Sequence, residues 1–206
     1  MPISDCEVRD PRIRRTRQSL QAALRSLLQS RSFDEISVQD ITEAAAVNRA
    51  TFYDHYADKF ALLDAMIAGG FHLMLHERQV HFDGTCPSAA RAIIEAACDY
   101  LVEMHAGHAE CRAQSSFEPF ADAAITTAIG SFLRRGQGDL PGLSNEVAAS
   151  AASWAIYGAV KQWFASPNRP PVKEIVPEIL SLVVPILGQA FARETVGALA
   201  ASDSHA

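Results

Sequence analysis

At 206 residues, 49% of them hydrophobic and 20% charged, the chain is too apolar to stay disordered and long enough to bury a real core. Its longest uncharged stretches, Val147–Val160 and Ile179–Ala192, hold 14 residues each, short of the roughly 20 that a membrane-spanning helix needs. The net charge of −6 is unevenly placed: residues 9–31 carry seven arginines against Asp10 alone, whereas residues 60–206 carry nine basic and fifteen acidic side chains, an anion-seeking end on an acidic body.

Residues 1–11 read as a flexible tail containing Pro2. From Arg12 to about Ser30, Ile13, Leu20, Leu24, Leu27 and Leu28 build one apolar stripe and leave the arginines on other faces. Ser37 is a helix cap with Asp40 at the capping-box position, opening a short helix from Val38 to about Ala45. Asn48 caps a second short helix, Arg49–His55, and Ala46-Val47 form the tight connection between the two. Asp58 caps a longer helix from Lys59 to about Gln79. Further helices are predicted over Ser88–Gly107, Phe120 to about Arg135, Asn145–Phe164 and Val172 to about Glu194, with breaks at Phe82–Pro87, Gly136–Gly142 and Ser166–Pro171. Pro185 lies inside the last of them, where it removes one ladder hydrogen bond, and Ala198–Ala206 reads as a frayed end. No segment alternates as a strand does, so the predicted class is all-α.

Two short helices followed by a long one can set the second short helix in a major groove of DNA. On that helix Arg49 has the bidentate geometry for guanine, and Thr51 can meet a phosphate or a thymine methyl. Tyr53 and His55 can bond phosphates, as can Lys59 at the start of the next helix, and Ala50 is small enough for close approach. Phe52 and Tyr56 are placed to pack inward.

The string SVQDITEAAAVNRATFYDHYADKFALL, Ser37–Leu63, resembles the helix-turn-helix signature of the TetR family of regulators. The matching positions are Ser37, Ile41, Ala45, Val47, Arg49, Thr51-Phe52-Tyr53, His55-Tyr56, Lys59 and Leu62-Leu63. The departures are Ala46 and Ala50, where the family often has glycine, and Asn48, where Ser or Thr is commoner. Asp54 adds a negative charge near the expected DNA. The resemblance implies a three-helix DNA-binding domain over residues 12–72, with its helix-turn-helix at 37–56. It also implies a helical ligand-binding and dimerisation domain over 73–206. The DNA-contacting set is then Ser37, Asn48, Arg49, Thr51, Tyr53, His55 and Lys59.

The resemblance further implies dimerisation through the last two long helices and a small-molecule pocket linked to the DNA-reading heads. Independently, Val147–Phe164 and Ile175–Phe191 are apolar around most of their circumference, and Ala148, Ala149, Ala152, Ala155, Gly158 and Ala159 permit close helix approach. Candidate pocket residues, chosen as large or amphipathic side chains, are Phe71, Leu75, Met104, His105, Phe117, Phe120, Trp154, Tyr157 and Trp163. The expected effector is small and mostly apolar.

His72 and His76 stand one turn apart, and His105, His108 and Cys111 cluster further on, but no compact metal motif accompanies them and no metal or other cofactor is expected. No GxSxG, P-loop or GxGxxG is present, so no enzymatic activity is expected. Cys6, Cys86, Cys98 and Cys111 form no CxxC pair and the first residues lack an export pattern, which points to a cytoplasmic protein. The resulting expectation is a ligand-responsive repressor that occupies a palindromic operator as a homodimer and is released by an inducer. Two alternatives stand beside it: an activator or partner-controlled regulator of the same fold, and a helical ligand-binding protein or enzyme without DNA function.

Overall fold

The computed structural model describes residues 10–81, 87–105, 116–136 and 143–202. Eight α-helices make up nearly all of them: α1 Pro11–Leu27, α2 Val38–Ala44, α3 Arg49–His55, α4 Lys59–Glu77, α5 Pro87–His105, α6 Phe117–Gly136, α7 Leu143–Ala165 and α8 Val172–Ser202. A 3₁₀ turn at Phe33–Glu35 separates α1 from α2, and there is no strand among the described residues. None of these helices is long and apolar enough to cross a membrane.

The chain divides into two compact units. One comprises residues 1–73 together with 103–125, the other 74–102 together with 126–206. The first unit therefore adds to the expected 12–72 segment the end of α5 and the start of α6.

In the first unit α1 starts where chemistry allows it. The Asp10 carboxylate accepts the Arg12 N–H at 2.8 Å, and Pro11 occupies a position whose N–H needs no partner. Its buried stripe is Leu20, Ala23, Leu24 and Leu28, whereas Ile13, the first apolar residue of the predicted stripe, is exposed. Phe33, Ile36, Ile41, Phe52, Leu62 and Leu63 complete the core around it, all at or near zero exposure. Each such side chain contributes about 1.5–3 kcal/mol by leaving water. Helix α4 ends with Gln79 at φ 54°, its N–H bonded to the His76 carbonyl and that of Val80 to Leu75, which satisfies the last carbonyls of the helix.

Helix α6 begins at Phe117, three residues before its predicted start. Pro119 falls in the first turn of this helix, where its missing N–H costs nothing. At the other end of the chain, α8 runs past Glu194 to Ser202 because Ala198–Ala201 is made of strong helix formers.

In the second unit α7 and α8 pack along each other. Ala149, Ala152, Ile156 and Val160 of α7 are buried, as are Val176, Ile179, Val183 and Leu187 of α8. The Trp163 indole N–H donates to the Pro170 carbonyl at 2.7 Å and fastens the turn between them. Pro177 and Pro185 both lie on the exposed side of α8, where water can take the carbonyl that each leaves without a donor. Cys98 is buried in this unit, and burial next to Asp99 and Glu95 pushes its thiol up to about 12.

Candidate nucleic-acid interface

Helix α2 is held at its start by reciprocal bonds. The Asp40 N–H donates to Ser37 Oγ at 3.1 Å, and the Ser37 N–H donates to Asp40 Oδ2 at 2.7 Å. Arg31 then pairs with the same carboxylate at 2.9 Å and donates to the Glu35 carbonyl at 2.6 Å, tying α2 to the 3₁₀ turn. Arg31 and the Ser37 donors hold the Asp40 carboxyl well below the usual carboxylate range. Ser37 is exposed, with its side chain committed to this cap.

The connection from α2 to α3 is a helix-terminating turn in which Ala46 takes the left-handed conformation, φ 54°. The Ala46 N–H bonds to the Glu43 carbonyl at 3.2 Å and the Val47 N–H to Thr42 at 3.0 Å. Glycine enters that region freely, whereas an L-residue pays about 1–2 kcal/mol. The turn geometry thus explains why glycine suits position 46 and shows that alanine there is strained.

Asn48 Oδ1 receives the Thr51 N–H at 2.7 Å and the Thr51 hydroxyl at 2.9 Å, so these two residues cap α3 together. Phe52 and Tyr56 face inward and are buried. Arg49, Ala50, Tyr53 and Asp54 face solvent, with Thr51 and His55 half-buried beside them. Tyr53, 47% exposed, sets its ring edge-on to Phe52 and accepts a bond of 3.2 Å from the Arg49 guanidinium. The outward face of α3 therefore carries a cation resting on an aromatic platform, 5.6 Å from its centre.

Lys59 stands differently from the other expected contacts. Its ammonium donates to the carbonyls of Phe33, Asp34 and Ile36 at 2.9, 3.2 and 2.8 Å and lies over the rings of Phe33 and Phe60. Three donors meet three acceptors, which gives Lys59 the geometry of an internal tie rather than of an outward charge. Arg17 is likewise drawn inward: it is buried against Tyr56, whose hydroxyl receives both Arg17 Nε and the Gln21 amide. Arg12, Arg14, Arg15 and Arg25 remain exposed on α1, so two of the seven arginines in the basic segment are structural. Residues 1–9, with Arg9, lie outside the described residues.

Of the nine candidate pocket residues, Phe71, Leu75, Phe117, Tyr157 and Trp163 are buried and Met104 and His105 are half-buried. His105 bonds Glu118 at 2.9 Å, joining the end of α5 to the start of α6. Phe120 is partly exposed and stacks on Phe60 at 4.6 Å. Trp154 is 59% exposed on the outer face of α7, which removes it from any pocket formed within one chain. Sequence reading also missed Asp34, whose carboxylate accepts the N–H and hydroxyl of Ser116 across 82 residues of chain. No local pattern signals such a pair. His72 is half-buried and His76 exposed, and among the described residues no group of three or more His, Cys, Asp or Glu could hold a metal ion. His108 and Cys111 lie outside the described residues.

Residues 20–66 match the family model described as bacterial regulatory proteins, tetR family. A segment of 59 residues is 46% identical to an uncharacterised HTH-type transcriptional regulator of Bacillus subtilis, YxbF. That match spans 28% of this chain and 16% of the relative's length. Among solved structures, a TetR-family regulator from Streptomyces coelicolor superimposes over 88% of this chain and 99% of its own, with TM-score 0.58 and 17% identity. RolR, solved with resorcinol bound, matches over 87% of this chain and 94% of its own, with TM-score 0.53 and 17% identity. At such identities the structural matches establish the all-helical fold.

Proposed function

Because the chain belongs, through its N-terminal domain, to the tetR family of bacterial transcriptional regulators, we propose that it is a ligand-responsive repressor. It occupies a palindromic operator as a homodimer and is released by a small-molecule inducer. The carrying observation is the two-sided build of α3, with Phe52 and Tyr56 buried and Arg49 and Tyr53 turned outward on a doubly capped seven-residue helix. Such a helix offers a major groove side chains that can read it. Arg49 and Thr51 are the readers. Tyr53 and His55 position the helix on phosphates, and Ser37 and Asn48 present their cap edges to the backbone. Lys59 is assigned to bracing the head through its three carbonyl bonds.

The dimer is supported by what α7 leaves uncovered. Val147, Ala151, Trp154 and Gly158 are all exposed, at the i, i+4, i+7, i+11 spacing of one helix face, and Leu182 of α8 is 64% exposed. A second copy covers such a face symmetrically. Of the small residues expected to serve this contact, Ala149 and Ala152 face the chain's own interior, Ala148, Ala155 and Ala159 are half-buried and Gly158 is exposed.

For the effector, we assign the junction where α5 ends and α6 begins. Met104 and His105 lie at the end of α5 and Phe117 and Phe120 at the start of α6, within one compact unit, and Glu118 gives the histidine a polar partner. RolR, of the same fold, is solved with resorcinol, which supports a small, largely apolar effector. An inducer acts here by favouring the conformer that fits DNA poorly.

The test is a gel shift with the DNA flanking the protein's own gene, at two salt concentrations. Saturable binding that falls steeply with salt is expected, because phosphate contacts release counterions. Absent or salt-insensitive binding overturns the reading.

A further inference from the structure

A helix of seven residues is too short to be stable by itself, so the orientation of α3 comes from what it packs against. Phe52 is fully buried, but apolar burial is non-directional and leaves such a helix free to roll about its axis. Directional bonds enter at Tyr56, where α3 stops. Tyr56 closes the helix with its N–H on the Phe52 carbonyl at 2.9 Å and then turns extended. Its side chain is 4% exposed, and its hydroxyl accepts Arg17 Nε at 3.2 Å and Gln21 Nε2 at 3.0 Å. Arg17 and Gln21 are one helical turn apart, so both donors approach from one face of α1. The guanidinium of Arg17 also lies 5.1 Å over the Tyr56 ring. Arg12, Arg14 and Arg15 reach solvent, whereas Arg17 is 9% exposed, which is tolerable only for a cation that is firmly bonded.

The geometry points to a specificity clamp in which Arg17 and Gln21 grip the Tyr56 hydroxyl and so set the roll of α3. This inference rests on the DNA-binding reading above. Arg17, Gln21 and Tyr56 are positioning residues that act through Arg49 and Thr51. Bidentate base contacts tolerate little misplacement, whereas phosphate attraction is long-ranged and forgiving. Loosening the clamp therefore costs discrimination between sequences and leaves general affinity for DNA nearly intact.

The test uses the full chain and two DNA fragments, the flanking DNA that binds best and a scrambled fragment of equal length and composition. Affinities are measured well below each variant's melting temperature. Tyr56→Phe keeps the ring and removes the acceptor. It is expected to lose about tenfold on the flanking fragment, the scale of a spoiled base contact, and to stay within about twofold on the scrambled one. The double variant Arg17→Met, Tyr56→Phe removes the hydroxyl together with its buried cationic donor and leaves Gln21 at its half-buried position. It is expected to recover melting temperature without recovering discrimination, a split that a purely structural role does not produce. Gln21→Met removes one donor at a half-buried position; a smaller loss of the same kind is expected, and it stands in if Tyr56→Phe does not fold. A folded Tyr56→Phe that separates the two fragments as well as the unsubstituted chain does overturns the clamp alone. An unsubstituted chain that fails to separate them overturns the DNA reading with it.

Discussion

Between Ser37 and His55 two helices of seven residues each are fixed by named, directional bonds, whereas between Leu143 and Ser202 helices of 23 and 31 residues are fixed mainly by apolar packing. The head commits many of its polar side chains to such bonds: Ser37 with Asp40, Arg31 with Asp40, Asn48 with Thr51, Arg17 and Gln21 with Tyr56, Lys59 with three carbonyls. Its outward face is left polar. The α7–α8 pair buries one apolar face and leaves another, with Trp154 and Leu182, in water. Short helices cannot bury enough area to fix themselves and depend on caps and clamps, while long apolar helices bury ample area but do not choose their partner by direction. The head therefore fixes its short helices within one chain, whereas the C-terminal pair leaves an apolar face exposed, the face that the proposed dimer would cover.

The sharpest way to break this contrast is to remove the one large apolar anchor that the head does have. Phe52→Ala is expected to destabilise the head by about 3–5 kcal/mol, since the side chain is fully buried and leaves a cavity. Urea denaturation followed by circular dichroism should then show an early transition that carries DNA binding away. An unchanged midpoint would mean that α3 does not rest on Phe52.

Trp154→Glu probes the opposite region. Because Trp154 is exposed in the single chain, thermal stability at high dilution should barely move. Sedimentation equilibrium should show dimerisation weakened about thirtyfold or more, as for a central interface aromatic. A dimer of undiminished strength would place the interface elsewhere.

A smaller effect sharpens the account of the turn. Ala46→Gly relieves the left-handed strain at φ 54° but adds freedom to the unfolded chain. The net expected gain is about 0.5–1 kcal/mol, read as a raised denaturation midpoint of the head.

The smallest effect is electrostatic. Asp40 has its folded pKa depressed by Arg31 and Ser37, so its contribution is present above the ordinary carboxylate pKa and is lost as pH falls below about 4. Asp40→Asn should flatten that part of the acid limb of a stability-versus-pH curve. An identical slope in the two proteins would show that the pair adds nothing to folding.

Much of the head could be read without its structure because its determinants are local. Caps act over three residues, so Ser37, Asn48 and Asp58 announced three helix starts, and each accepts the bond expected of it. The inward direction of Phe52 and Tyr56 follows from helical spacing in the same way. Lys59 escaped that logic, because the three carbonyls that receive it lie more than twenty residues back. Trp154 escaped it for another reason: a helix apolar on every side has no sequence signal for which side is left outside.

The chain's residues by themselves determined an all-helical protein, the position of the helix-turn-helix and the polar face of its second helix, since all of these follow from contacts within one turn. Tertiary structure alone decided that Arg17 and Lys59 are drawn inward, that Asp34 receives Ser116 and that Trp154 faces water. Those outcomes depend on which distant segments meet, and neither charge nor periodicity encodes that within a single helix.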